Sequence, residues 1–150
     1  MRFRKIKDVL DWTRAFHEAL AESYDELGKG HENERVGMLL AYLSAHERTL
    51  SEAIQHYEED QEHSVLNLWY DPDVDLPEDL TALRRELKAV EVADVLAMAI
   101  RFDDLVIDLY KVMQENAPTE EVRDLFDNIA RHEHREKLAM ARSAGRLEDL

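Results

Sequence analysis

Five ionisable residues interrupt the apolar stripes of this sequence where hydrocarbon would be expected. At three- and four-residue steps, His17 falls between Leu10 and Tyr24, Asp103 between Leu96 and Tyr110, and Glu47 between Leu43 and Leu50. Glu133 falls between Ile129 and Met140, with Glu136 one turn beyond it. Stripes of this period are the inward faces of amphipathic helices, so four carboxylates and one imidazole point toward one level of a core. Buried together without compensation they cost about several kcal/mol each; they must share protons, hydrogen-bond to one another or hold a cation. Glu133 and Glu136, three residues apart, can reach one point from one helix. A hard, oxygen-rich set with a single imidazole suits one or two ions of iron or manganese, or else magnesium or calcium, over copper, and open coordination positions would permit oxygen chemistry.

Four periodic segments must position these groups. The first runs from about Ile6 to Leu27 and stops at Gly28-Lys-Gly30, as a helix with a glycine C-cap does. The second starts near Asn33 or Glu34 and runs to about Asp60. Residues 61–77 break the pattern, and the two prolines of Asp71-Pro-Asp-Val-Asp-Leu-Pro77 require a turn or an extended crossover. A third segment begins near Glu78, with an interruption near Lys88–Glu91, and continues through Met113. Pro118 ends it, Thr119-Glu-Glu121 caps the fourth, and Gly145 is expected to close that one. The expectation is an all-α, ferritin-like four-helix bundle in a single domain, 1–150: a helical hairpin over 5–60, a crossover over 61–77 and a second hairpin over 78–145.

Shifting residues 8–58 by 86 positions lays them on 94–144 without a gap and gives eleven identities, among them Phe16 on Phe102, Tyr24 on Tyr110, His46 on His132 and Glu47 on Glu133. Chance would give roughly three, so the hairpins read as a duplication that packs as two pseudo-symmetric halves.

Composition removes other classes. With 19 basic and 34 acidic residues the formal net charge is −15, which repels nucleic acid and anionic membranes; the basic residues along Arg131–Arg146 are interleaved with acids. An apolar fraction of 45% is too high for a disordered acidic chain. No apolar run reaches the length of a membrane helix, and the start lacks the apolar stretch of a signal peptide, so a cytoplasmic protein is expected. The absence of cysteine excludes disulfides, thiolate zinc, iron–sulfur clusters and a thiol nucleophile. There is no glycine-rich phosphate loop and no G-x-S-x-G elbow.

The hairpin Ala99-Ile-Arg-Phe-Asp-Asp-Leu-Val-Ile-Asp-Leu-Tyr110, followed by Pro118-Thr-Glu-Glu-Val-Arg-Asp-Leu-Phe-Asp-Asn-Ile-Ala-Arg-His-Glu133, resembles the second half of ferritin-like, rubrerythrin-type bundles. The first hairpin matches the same template more weakly. The resemblance implies a carboxylate-bridged di-iron centre with one Glu on each of two helices and Glu-x-x-His on the other two. Carried over, the single Glu positions fall on His17 and Asp103, and the Glu-x-x-His motifs on Glu47-Arg-Thr-Leu50 and Glu133-His-Arg-Glu136. Only Glu47 and Glu133 keep the family residue. The resemblance therefore implies a remodelled site on His17, Glu47, Asp103, Glu133 and Glu136, with an iron- or manganese-dependent role in metal handling or oxidative stress. The alternative is a metal-free, non-enzymatic scaffold in which a charged His17 offsets the carboxylates.

His46 and His132 adjoin the two retained glutamates and read as flanking or entrance groups. Tyr24 and Tyr110 read as core tyrosines one or two turns from the cluster. Trp69-Tyr70 either covers a bundle end or meets a second subunit, and long flat helices with such a pair point to a homodimer.

Overall fold

The structure, a computed structural model, describes residues 5–70 and 91–148. Three of the long helices begin where a side chain hydrogen-bonds an amide of the first turn or of the residue before it. In α1 (Ile6–Gly28) the Asp8 carboxylate accepts from the Lys5 amide at 3.0 Å. In α2 (Glu34–Glu59) the Asn33 side chain accepts from the amides of Arg35 and Val36 at 3.0 and 3.3 Å. Removing an N-cap of this kind costs about 1 kcal/mol; Asn33→Ala should lower the stability measured by urea unfolding by that amount and leave the fold unchanged. The α1–α2 turn uses Gly30 at φ +67°, a conformation open to glycine. A Cβ on Gly28 would lie 3.4 Å from that of Leu40, so the helices approach closely at this corner.

After α2 the chain forms one helical turn, α3 (His63–Leu66), inside the stretch read from sequence as non-helical. It then folds back across one end of the bundle. The Ile6 amide donates to the Leu68 carbonyl at 3.2 Å and the Tyr70 hydroxyl to the Met113 carbonyl at 2.8 Å. Of the Trp69-Tyr70 pair, Tyr70 thus covers the bundle end, while Trp69 is 70% exposed.

The second hairpin consists of α4 (Val92–Glu115) and α5 (Glu120–Glu148), with the Thr119 hydroxyl accepting from the Val122 amide. The expected start of the third segment, 78–90, and the proline stretch, 71–77, lie outside the described residues. The starts of α2 and α4 and the end of α5 line one pocket, opposite the end closed by Tyr70. Residues 70 and 91 therefore sit at opposite ends of the bundle. One expected boundary differs: α5 runs through Gly145 to Glu148. Gly145 keeps a negative φ, and a glycine in helical conformation weakens a helix by about 1 kcal/mol without ending it.

The stripes meet as the periodicity requires. Leu10, Leu20, Tyr24, Leu43, Val106, Tyr110 and Phe126 are all at most 2% exposed, and Phe16 packs edge-to-face on Phe102 with centroids 6.3 Å apart. α1 packs on α2, α4 on α5, and α2 also touches both α4 and α5. No described helix is long and apolar enough to cross a membrane.

Candidate metal centre

Each of the four long helices delivers an ionisable side chain into the centre of this core. His17 comes from α1, Glu47 from α2, Asp103 from α4 and Glu133 from α5, and all are at most 2% exposed. His17 lies between two of the carboxylates. Its Nδ1 is 2.5 Å from Glu47 Oε2 and its Nε2 is 2.9 Å from Glu133 Oε1. With both carboxylates ionised, two acceptors on one imidazole require that both nitrogens carry protons. Burial works to lower the basicity of this ring, but attraction to Glu133 and Glu47 and the two hydrogen bonds outweigh it and raise the His17 pKa well above its ordinary 6.5. Glu47, fully buried, is shifted upward from 4.5, chiefly by burial, with His17 opposing.

His46 supplies a second imidazole. Its Nε2 is 3.2 Å from Asp103 Oδ2, and both side chains are buried. Burial lowers its pKa, while the bond and charge of Asp103 prevail and raise it. The two histidines thus bind the three carboxylates through one oxygen each. The other three oxygens, Glu47 Oε1, Asp103 Oδ1 and Glu133 Oε2, are buried with no hydrogen-bond partner among the described residues. The hydroxyl of Tyr24 is in the same condition, and that of Tyr110 lies against Thr13 and Glu133. Burial, reinforced by Glu47 and Asp103 for Tyr24 and by Glu133 for Tyr110, pushes both phenols well above their ordinary range. Three buried carboxylate oxygens without partners among the described residues are an unsatisfied polar core, and such groups cost about 1–3 kcal/mol each unless water or a cation meets them.

Of the residues singled out from sequence, His17, Glu47, Asp103 and Glu133 come together. Glu136 does not join them: one turn beyond Glu133, it is part-exposed and makes no hydrogen bond to the cluster among the described residues. His46, read from sequence as a flanking group, is buried in the cluster. Adjacent helix residues point about 100° apart, and α2 packs against three helices, so its buried arc holds residues 46 and 47 together. The same breadth was the available signal, since α2 alternates between two buried flanks. His132, the repeat counterpart of His46, packs edge-on against Tyr57 at 6.1 Å, with its Nε2 buried and without a hydrogen-bond partner among the described residues.

The donor set suits one ion better than two. Of the positions where the resemblance implies di-iron ligands, Leu50 is hydrocarbon in the core, Glu136 is part-exposed, and both His17 nitrogens are engaged by carboxylates. By contrast His46, Glu47 and Asp103 each offer a ligand atom within 4.8 Å of the others. Bonds of about 2.1 Å set opposite ligands about 4.2 Å apart, so shifts of a few tenths of an ångström close this set on one cation.

No protein-family description and no curated protein matches the chain. A solved structure does: a Thermotoga maritima protein, provisionally named a ferritin-like diiron-carboxylate protein and determined by crystallography at 2.30 Å. It is 17% identical over 96% of this chain and 97% of its own, with a TM-score of 0.63. This chain has the ferritin-like, all-α fold.

Proposed function

We propose that the bundle core binds one divalent metal ion, iron or manganese, on His46, Glu47 and Asp103, as a remodelled form of a rubrerythrin-type centre, and that the protein serves metal handling or oxidative defence in the cytoplasm. The observation that carries this reading is the trio of buried carboxylates, each with one oxygen unpartnered, beside a histidine within ligand distance. Charge supports it. Three carboxylates and two protonated imidazoles leave a net −1, and a dication replacing both imidazole protons leaves the same net charge. His46 would offer its Nε2 once deprotonated, Glu133 would stay on His17, and Tyr24 and Tyr110 would close the site against bulk water. When bound, iron or manganese supplies one-electron chemistry toward O₂ or peroxide.

One observation favours a second reading. His17, engaged by two glutamates, is itself a cation at the centre of the cluster, so the core can be neutralised without metal and the protein can act as a scaffold.

Anaerobic loading with ferrous iron or manganese, followed by desalting and elemental analysis, separates the two. The metal reading expects about one ion per chain, less than about a tenth in Glu47→Ala and Asp103→Ala, and a strong reduction in His46→Ala. Less than a tenth of an ion in the wild type, or equal occupancy in the variants, would establish the metal-free reading instead.

A further inference from the structure

In sequence, the arginines of α5 alternate with acids; in space they do not. Glu133 is buried and Glu136 part-exposed beneath them. Every exposed residue of α5 from Arg131 to Arg146 is an arginine, a histidine or apolar, with Leu138 40% exposed in the middle. One hundred degrees per residue puts Arg131, Arg135, Leu138, Arg142 and Arg146 on a single outward stripe. The first turns of the same stripe carry Glu120, Asp124 and Asp127. Acids near the start and bases near the end also suit the helix dipole, but that effect is confined to the terminal turns. It does not reach Arg131 and Arg135, more than two turns from the helix end. Beside this stripe, a groove of about 380 Å³ opens between α4 and α5, floored by Ile107 and Ala130 and edged by Arg131, His134 and Arg135.

We propose that this face is the homodimer interface, with α5 lying antiparallel on its copy about a two-fold axis near His134. A closed two-fold contact requires a self-complementary surface, and this stripe is one. Setting Leu138 of one copy over the groove floor at Ala130 of the other also brings Arg142 against Asp127, whose carboxylate accepts from Arg131 and Gln114 of its own chain, and Arg146 against Asp124. Three contacts on successive turns thus share one register, and the two-fold repeats each of them. The net charge of −15 opposes association through most of the surface. Along this stripe three acids stand against four arginines, of which Arg131 and Arg135 lie beside the axis and Arg131 is held by Asp127 of its own helix, so a second copy meets less repulsion here than on the acidic remainder of the surface. An exposed leucine beside an apolar groove supplies the non-directional part of the contact.

Sedimentation velocity of the full chain at about 10–100 μM tests this. The expected species has twice the 17.5 kDa chain mass. Leu138→Glu, Arg142→Glu/Arg146→Glu and Asp124→Arg/Asp127→Arg should each sediment as monomers with unchanged helical circular dichroism. Mixing the two charge-reversed proteins should restore the dimer, which a folding defect would not do. A monomeric wild type, a dimer that survives both charge reversals, or a mixture that stays monomeric would overturn the proposal. So would a monomeric wild type whose arginine stripe instead retains it on an acidic polymer such as poly-glutamate, which would assign the face to an acidic partner.

Discussion

Replacing His17 by alanine in the metal-free protein should lower its stability by about 3–5 kcal/mol, roughly 10 °C in Tm for a chain of this size. The His17 ring bonds Glu47 and Glu133 at once, so its removal strands two buried carboxylates in a core that already holds three carboxylate oxygens without partners. Most of the loss is this stranded charge, with a smaller part from the cavity left by the ring. The triple variant His17→Ala/Glu47→Gln/Glu133→Gln separates the two contributions: it keeps the cavity, removes the charge, and should recover more than half of the loss. Urea unfolding followed by circular dichroism in EDTA measures both. A loss below about 1 kcal/mol for His17→Ala would show that the bridge contributes little. The same variant bears on metal. With His46, Glu47 and Asp103 intact, His17→Ala should still load an ion, and the ion should restore much of the lost stability by binding only the native state.

The inward placement of His17, Glu47, Asp103 and Glu133 was legible because each helix carries a long, regular stripe, and a polar residue on such a stripe has nowhere to go but inward. The all-α architecture was legible for the same reason, with Asn33 and Thr119 marking helix starts by their capping chemistry. Partnerships within the core were not legible. Whether His17 meets one glutamate or two depends on the relative height and rotation of three helices, which packing decides and no single stripe encodes. His46 read as a flanking or entrance group because a stripe one residue wide is the wrong description of α2, which touches three neighbours. Glu136 was drawn in by a motif spacing, although the residue sits about 60° around the helix from Glu133 and is part-exposed. The arginines of α5 teach the converse: residues interleaved along a chain can be segregated around a helix, so charge counted by sequence window misjudged that face.

Raising the pH from about 6 to 9 should destabilise the metal-free protein. In the native state His17 and His46 are held more basic than their ordinary 6.5, and Glu47 less acidic than its ordinary 4.5. At each of these sites the folded protein binds more protons than the unfolded chain, and linkage then makes stability fall as pH rises. The histidines' contribution is fully present below 6.5 and is lost as pH climbs through their raised values, while Glu47 begins to act against folding above 4.5. One proton held in excess corresponds to about 1.4 kcal/mol per pH unit, so a loss of about 2 kcal/mol or more across this range is expected. Self-repulsion of a −15 chain changes in the same direction, so the slope must be read against a control. The triple variant leaves that surface charge intact and removes the His17 bridge, and its profile should be clearly flatter. Unfolding free energies in EDTA at pH 6, 7, 8 and 9 decide the matter: a wild-type profile that is level, that rises, or that parallels the triple variant would mean that no imidazolium is held between Glu47 and Glu133.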